Sequence, residues 1–116
     1  MAGQIPPQIQ NQLAQLQELQ NQAAIVVQQR QQLELQVREV ERTLEELGKI
    51  ARDAPLYKSV GSLLVRASDR EGLERDLQDQ KETMTVRLES AKRQEQRLRE
   101  RVTALQTELQ AALGQR

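Results

Sequence analysis

Apolar residues recur every three or four positions through two long stretches of this chain, and that repeat limits what it can fold into. In the first stretch one seam position holds Ile9, Leu16, Ala23, Arg30, Val37 and Leu44. The other holds Gln12, Leu19, Val26, Leu33, Val40 and Leu47. Only Arg30 and Gln12 interrupt the apolar stripe. In the second stretch Leu77, Met84, Ala91, Leu98, Leu105 and Ala112 alternate with Glu74, Lys81, Leu88, Glu95, Val102 and Leu109. A heptad sustained over this many turns specifies a left-handed coiled coil. The composition agrees. There is no Phe or Trp and only one Tyr, so no globular core can be built on aromatic side chains. Gln, Glu, Leu, Arg and Ala dominate, as they do in long helices.

Between the two repeats lies the one part that reads as β-structure, Pro55 to Ala67. Leu56–Val60 and Leu63–Ala67 are short runs bounded by Pro, Gly and Ser. Gly61-Ser62 is a two-residue turn of the Gly-X kind, which suits a type II′ hairpin. With that turn Val60 faces Leu63, Lys58 faces Val65 and Leu56 faces Ala67 on one face. Tyr57, Ser59, Leu64 and Arg66 take the other. A lone two-stranded hairpin is marginal in water, and both its edges carry unpaired backbone groups. Pairing with hairpins of other chains is the expected remedy.

The helix limits follow from local chemistry. Pro6-Pro7 opens the first helix, because proline fits a first turn that needs no intrahelical N–H partner. Gly48 and then Pro55 end it, between Gly48 and Arg52. Ser68-Asp69-Arg70-Glu71 reads as a capping box with Ser68 as the cap and Glu71 reaching back to it. Gly114 is a candidate stop. The expected layout is one domain over 1–116, with a helix over 6–52, a hairpin over 55–67 and a helix over 69–113. The fold class is mostly α: an antiparallel two-helix coiled coil joined by a central β-hairpin. Pairing residues whose numbers sum to about 121 matches every seam position, so Leu16 meets Leu105, Leu19 meets Val102 and Leu33 meets Leu88. Arg30 and Glu95 then fall in adjacent layers and can help to fix the register.

Function classes can be excluded in turn. Lys plus Arg equals Asp plus Glu, so net charge is zero and the electrostatic footprint of a nucleic-acid binder is missing. There is no Cys and no His, which removes disulfides, thiolate metal sites and the commonest general base. No Gly-rich phosphate loop follows a strand, and the carboxylates fall mostly on solvated helix faces. No cofactor and no enzymatic activity are expected. The N-terminus lacks the pattern of a signal peptide, and no run is long enough to span a membrane, so a soluble cytoplasmic protein is the default. Tyr57 and Lys58 could be read as a ligand site, but Tyr57 opposite Arg66 is better read as a cross-strand stack.

The helix ends say more. Ile5, Ile9, Leu13 and Leu16 cluster at one end of the chain, and Leu105, Leu109, Ala112 and Leu113 at the other. The antiparallel register brings both to one tip. Ile5, Leu13 and Leu113 lie off the seam or beyond it, where two helices cannot bury all three. Such a patch is a binding surface, unless the end is frayed and its leucines incidental. Ile25, Val27, Leu35 and Val86 are also off the seam, but single exposed apolar residues are ordinary.

Two heptad arms around Leu56-Tyr57-Lys58-Ser59-Val60-Gly61-Ser62-Leu63-Leu64-Val65 resemble a prefoldin β-type subunit, archaeal in form. The resemblance covers nearly the whole chain. Its specific part is the tyrosine–basic–serine–valine–glycine run followed by Leu-Leu-Val; the heptads alone are unspecific. A single hairpin fits the β class, since α-class subunits carry two. The resemblance implies an α2β4 hexamer with α-type subunits and other β copies, whose hairpins join into an inter-subunit β-barrel. It implies an ATP-independent holdase chaperone that binds unfolded clients at its coiled-coil tips and passes them to a group II chaperonin. By position it assigns client binding to Ile5, Ile9, Leu13, Leu16, Leu109 and Leu113, and the subunit interface to Leu56, Val60, Leu63 and Val65. The alternative is a structural coiled-coil adaptor joining two defined protein partners. An RNA-binding helical arm is disfavoured by neutral charge and by the lack of aromatic residues for stacking.

Overall fold

The structure, a computed structural model, describes residues 5–114. Four elements follow in order: α1 (Pro7–Lys49), β1 (Leu56–Val60), β2 (Leu63–Ala67) and α2 (Arg70–Gly114). The described residues divide into two compact units. One comprises residues up to Gln31 together with those from Glu89 onward; the other is Gln32–Leu88.

Helix α1 opens as its prolines dictate. Pro7 is the first helical residue, and the Pro6 carbonyl accepts the first helical bond from the Gln10 N–H at 3.0 Å. Every seam position expected in α1, from Ile9 to Leu47, is buried or half-buried, and nearly all others are exposed. The same holds in α2 from Glu74 to Ala112. The apolar core is this stripe and little else. Leu19, Val26 and Leu98 form a buried cluster with Ala23, Val102 and Leu105 packed against it. Val37, Val40, Leu47 and Leu88 are buried in the other unit.

Contacts within the unit that holds the helix ends agree with the expected layering. Pro6, Ile9 and Gln12 line one cleft with Glu108, Ala111 and Ala112. Gln15, Glu18, Leu19 and Gln22 of α1 lie beside Arg101. Arg30 and Glu95 meet directly: Nε donates to Oε1 at 3.1 Å and lies 3.0 Å from Oε2. Arg99 adds a longer bond to the same carboxylate at 3.5 Å. The Glu95 side chain keeps only 11% of its surface and that of Arg30 20%. A one-heptad slip in either direction would set both groups against apolar layers, where a stranded ion costs several kcal/mol.

The start of α2 differs from expectation. Asp69, not Ser68, is the cap: its Oδ1 accepts the Gly72 N–H at 3.0 Å and its carbonyl accepts the Leu73 N–H at 3.0 Å. Pairing of Leu56 with Ala67 holds the chain extended up to the residue before Ser68, so the turn into the helix comes one residue later. A carboxylate is also the stronger acceptor. This explains Gly72, isolated in sequence. A Cβ there would lie 2.4 Å from the Asp69 carboxylate, so a larger residue would displace the cap.

Arg70, the first residue of α2, was not singled out by sequence reasoning. Its Nη1 donates to the carbonyls of Ile50 and Ala51, both at 2.9 Å, and its Nη2 to that of Leu47. These carbonyls lie in the last turn of α1 and in the two residues that follow it; those of Leu47 and Ala51 also accept the Ile50 and Ala54 N–H groups at 3.3 and 3.0 Å. A cation is unfavourable at the start of its own helix and favourable at the end of another. Glu74, one turn on, balances the first effect with an ion pair at 3.3 Å. The only sequence signal is an arginine directly after a cap residue, which is too common to act on.

The Arg30–Glu95 pair gives the test of this fold. Arg30→Ala leaves Glu95 short of its main partner and is expected to cost about 2 kcal/mol, below the figure for a fully buried pair because Arg99 and water still reach it. Replacing both by Leu should restore or raise stability, because an apolar layer needs no desolvation of charge. Urea unfolding followed by circular dichroism measures both. Equal stability of Arg30→Ala and the unmodified chain would mean that the pair contributes nothing.

Candidate functional site: exposed apolar surfaces on the hairpin and at the helix ends

The two strands pair antiparallel in the register expected, Leu56 with Ala67 through Val60 with Leu63. Gly61 has φ of 60° and Ser62 is not positive. One positive φ at the first turn position is the mark of a type II′ turn, whose twist matches the strands. Among the described residues the sheet has these two strands only, so both of its outer edges are unpaired there.

The hairpin buries almost nothing. Val60, Leu63 and Val65 are 53%, 67% and 47% exposed. Leu56 is different: it is half-buried and lines an apolar groove with Leu47, Ile50, Leu73 and Leu77. It seats the hairpin on its own helices. The opposite face is also apolar, which sequence reasoning passed over. Leu64 is the most exposed of the large apolar side chains, at 74%, and Tyr57 is 60% exposed. Tyr57 pairs with Arg66 there, but Leu64 sits opposite Ser59 and has no apolar partner across the ribbon.

At the helix ends the expected residues separate into three groups. Ile5, Leu13 and Leu113 stand exposed. Ile9 and Leu16 are half-buried, with one side turned into the seam. Leu109 is buried to 4%; it is a seam residue that supports the surface from beneath and offers almost none of its own. Ile5 is tied back to α1 by the Gln10 amide, whose Nε2 donates to the Ile5 carbonyl at 3.1 Å.

Among the described residues there is no group of acidic, histidine or cysteine side chains arranged to hold a metal ion. No described helix is long and apolar enough to cross a membrane. The chemistry on offer is exposed apolar surface and open strand edges.

The match to known proteins is close. The model of the prefoldin subunit family matches residues 10–116. The chain belongs to the prefoldin family. It is 45% identical to the prefoldin subunit beta of Methanosarcina acetivorans, over 98% of this chain and 97% of that one. Against the prefoldin subunit beta of Archaeoglobus fulgidus it is 44% identical, over 97% of this chain and 96% of the relative. The crystal structure of the prefoldin beta subunit from Thermococcus strain KS-1 superposes with a TM-score of 0.86 at 38% identity, covering 95% of this chain and 96% of that one. Two long helices with a two-stranded hairpin between them are thus a prefoldin β architecture. Prefoldin subunits are chaperone subunits and not enzymes.

Proposed function

We propose that this chain is the β-type subunit of an ATP-independent holdase in the cytoplasm. It assembles through its hairpin with α-type subunits and other β copies into an α2β4 hexamer. It binds unfolded proteins with the apolar residues at its helix ends and yields them to a group II chaperonin. The observation that carries the reading is the exposure of Val60, Leu63, Leu64 and Val65 on a sheet with two open edges. Such a ribbon is stable only when further strands cover it. The interface therefore includes Val60, Leu63 and Val65, with Leu64 and Tyr57 on the other face, while Leu56 anchors the hairpin from within.

The helix ends supply the client surface. Unfolded clients differ in sequence, so a general binder needs adaptable apolar contact and not a shaped pocket. Ile5, Leu13 and Leu113 give that contact, extended by the free sides of Ile9 and Leu16, with Leu109 holding the helices together below. Several weak sites in one complex gain by multivalency, and each can let go without nucleotide hydrolysis.

Two experiments check this. Replacing Val60 and Val65 by Asp puts unpaired charge into the assembled sheet, at several kcal/mol per ion. Sedimentation with an α-type partner should show dissociated subunits whose helicity is unchanged; an intact complex would remove the hairpin from the interface. Deleting Met1–Gln8 and the segment after Leu109 should leave assembly and helicity in place. Light scattering of a denatured client diluted into buffer should then show aggregation suppression reduced severalfold. Full protection of several unrelated clients by the truncated complex would place the client surface elsewhere.

A further inference from the structure

The charges of this chain are unevenly placed. Apart from Glu18, Glu108 and Arg116, every charged side chain lies between Arg30 and Arg101. The described residues before Arg30 and after Arg101 therefore carry only two charges, both carboxylates, and they belong to one compact unit. Glu18 already accepts a hydrogen bond from the Gln22 amide at 3.2 Å. The polar surface there is otherwise mostly amide.

The amides are also placed in a pattern. In α1, Gln10, Leu13, Gln17 and Gln20 follow at spacings of three, four and three, so they share one stripe of the helix. In α2, Gln106, Gln110 and Leu113 do the same at four and three. All of these side chains are exposed. Leu13 is flanked along the helix by Gln10 and Gln17, and Leu113 follows Gln110 by three residues. Leu13 has no charge three or four residues away on its stripe.

We infer that this surface recognises the unpaired peptide backbone of unfolded chains, through glutamine amides set around its exposed leucines. The inference rests on the chaperone reading above and adds the chemical class of what is held. An unfolded segment docked by its apolar side chains brings its own N–H and C=O groups against the helix. Leaving such a group dehydrated and unpaired costs about 1–3 kcal/mol. A glutamine has one acceptor oxygen and two donor hydrogens, so it serves either group and either chain direction. A lysine or glutamate would serve only one, would resist desolvation, and would sort clients by charge. Amides beside leucines satisfy the backbone without reading the sequence.

The test uses the full chain assembled with an α-type partner and two fluorescent peptides of identical apolar sequence, one with alternate backbone nitrogens methylated. Fluorescence anisotropy gives the dissociation constants. The unmodified complex should bind the methylated peptide about tenfold more weakly. Replacing Gln17, Gln20, Gln106 and Gln110 by Ala preserves helicity, since Ala is the strongest helix former. It should weaken binding of the parent peptide about tenfold and abolish the discrimination. Binding by the unmodified complex should change less than about twofold between about 0.05 and about 0.5 M salt, because no ion pair is screened. Equal binding of both peptides, undiminished binding by the alanine variant, or a steep salt dependence would each overturn the inference. The complex truncated at both helix ends separates the two levels. If it still holds the peptides, the client surface itself has been misplaced; if it releases them while the alanine variant does not, only the role of the amides fails.

Discussion

Among the described residues, the seam between α1 and α2 is where most of the apolar surface is hidden. No described side chain is fully buried, and the residues that come nearest to it are seam leucines and valines, with Ala91 and Glu95, at a few per cent exposure. Each layer contributes one or two aliphatic side chains, with no aromatic residue to add area. Such a stripe stabilises two helices against each other and covers only Leu56 of the hairpin. The hairpin between them is therefore held by its covalent ends, by Leu56 in its groove and by the Arg70 bonds to the end of α1. Its remaining apolar surface must be covered from outside.

That division explains where polar chemistry is tolerated. The one buried ionic layer, Arg30 with Glu95, interrupts the seam where continuous Leu or Val would pack equally well. It converts a repeat that could slide by one heptad into one with a defined register. Arg70 ties the first residue of α2 to the end of α1 and the two residues that follow it, through the carbonyls of Leu47, Ile50 and Ala51. Where the chain meets clients in the proposed function, charge is nearly absent and amides take its place.

Much of this was legible in the sequence, for physical reasons. A heptad is periodic, so Ile9 to Leu47 and Glu74 to Ala112 could be assigned to a buried stripe without any coordinates. The hairpin register followed from a two-residue turn that admits few alternatives. What escaped depends on neighbours that no local pattern encodes. Ser68 and Asp69 are both good caps, and the choice was made by strand pairing at Ala67. Arg70 caps a helix that ends some twenty residues earlier in the chain. The exposure of Leu64 follows from its pairing with Ser59, which offers it no apolar cover. Leu109 was assigned both to the seam and to the client surface, and packing leaves room only for the first role.

Amide hydrogen exchange of the hairpin tests the central claim most directly: that the chain folds its helices alone but depends on other subunits to complete its sheet. Exchange at Tyr57 to Arg66 would be followed in the dilute chain and again after assembly with an α-type partner. The account predicts that the seam amides near Leu19, Val26 and Leu98 are protected in both states. Hairpin amides should exchange fast in the dilute chain and become protected only on assembly. Hairpin amides already protected in the dilute monomeric chain, or still fast in the assembled complex, would contradict it.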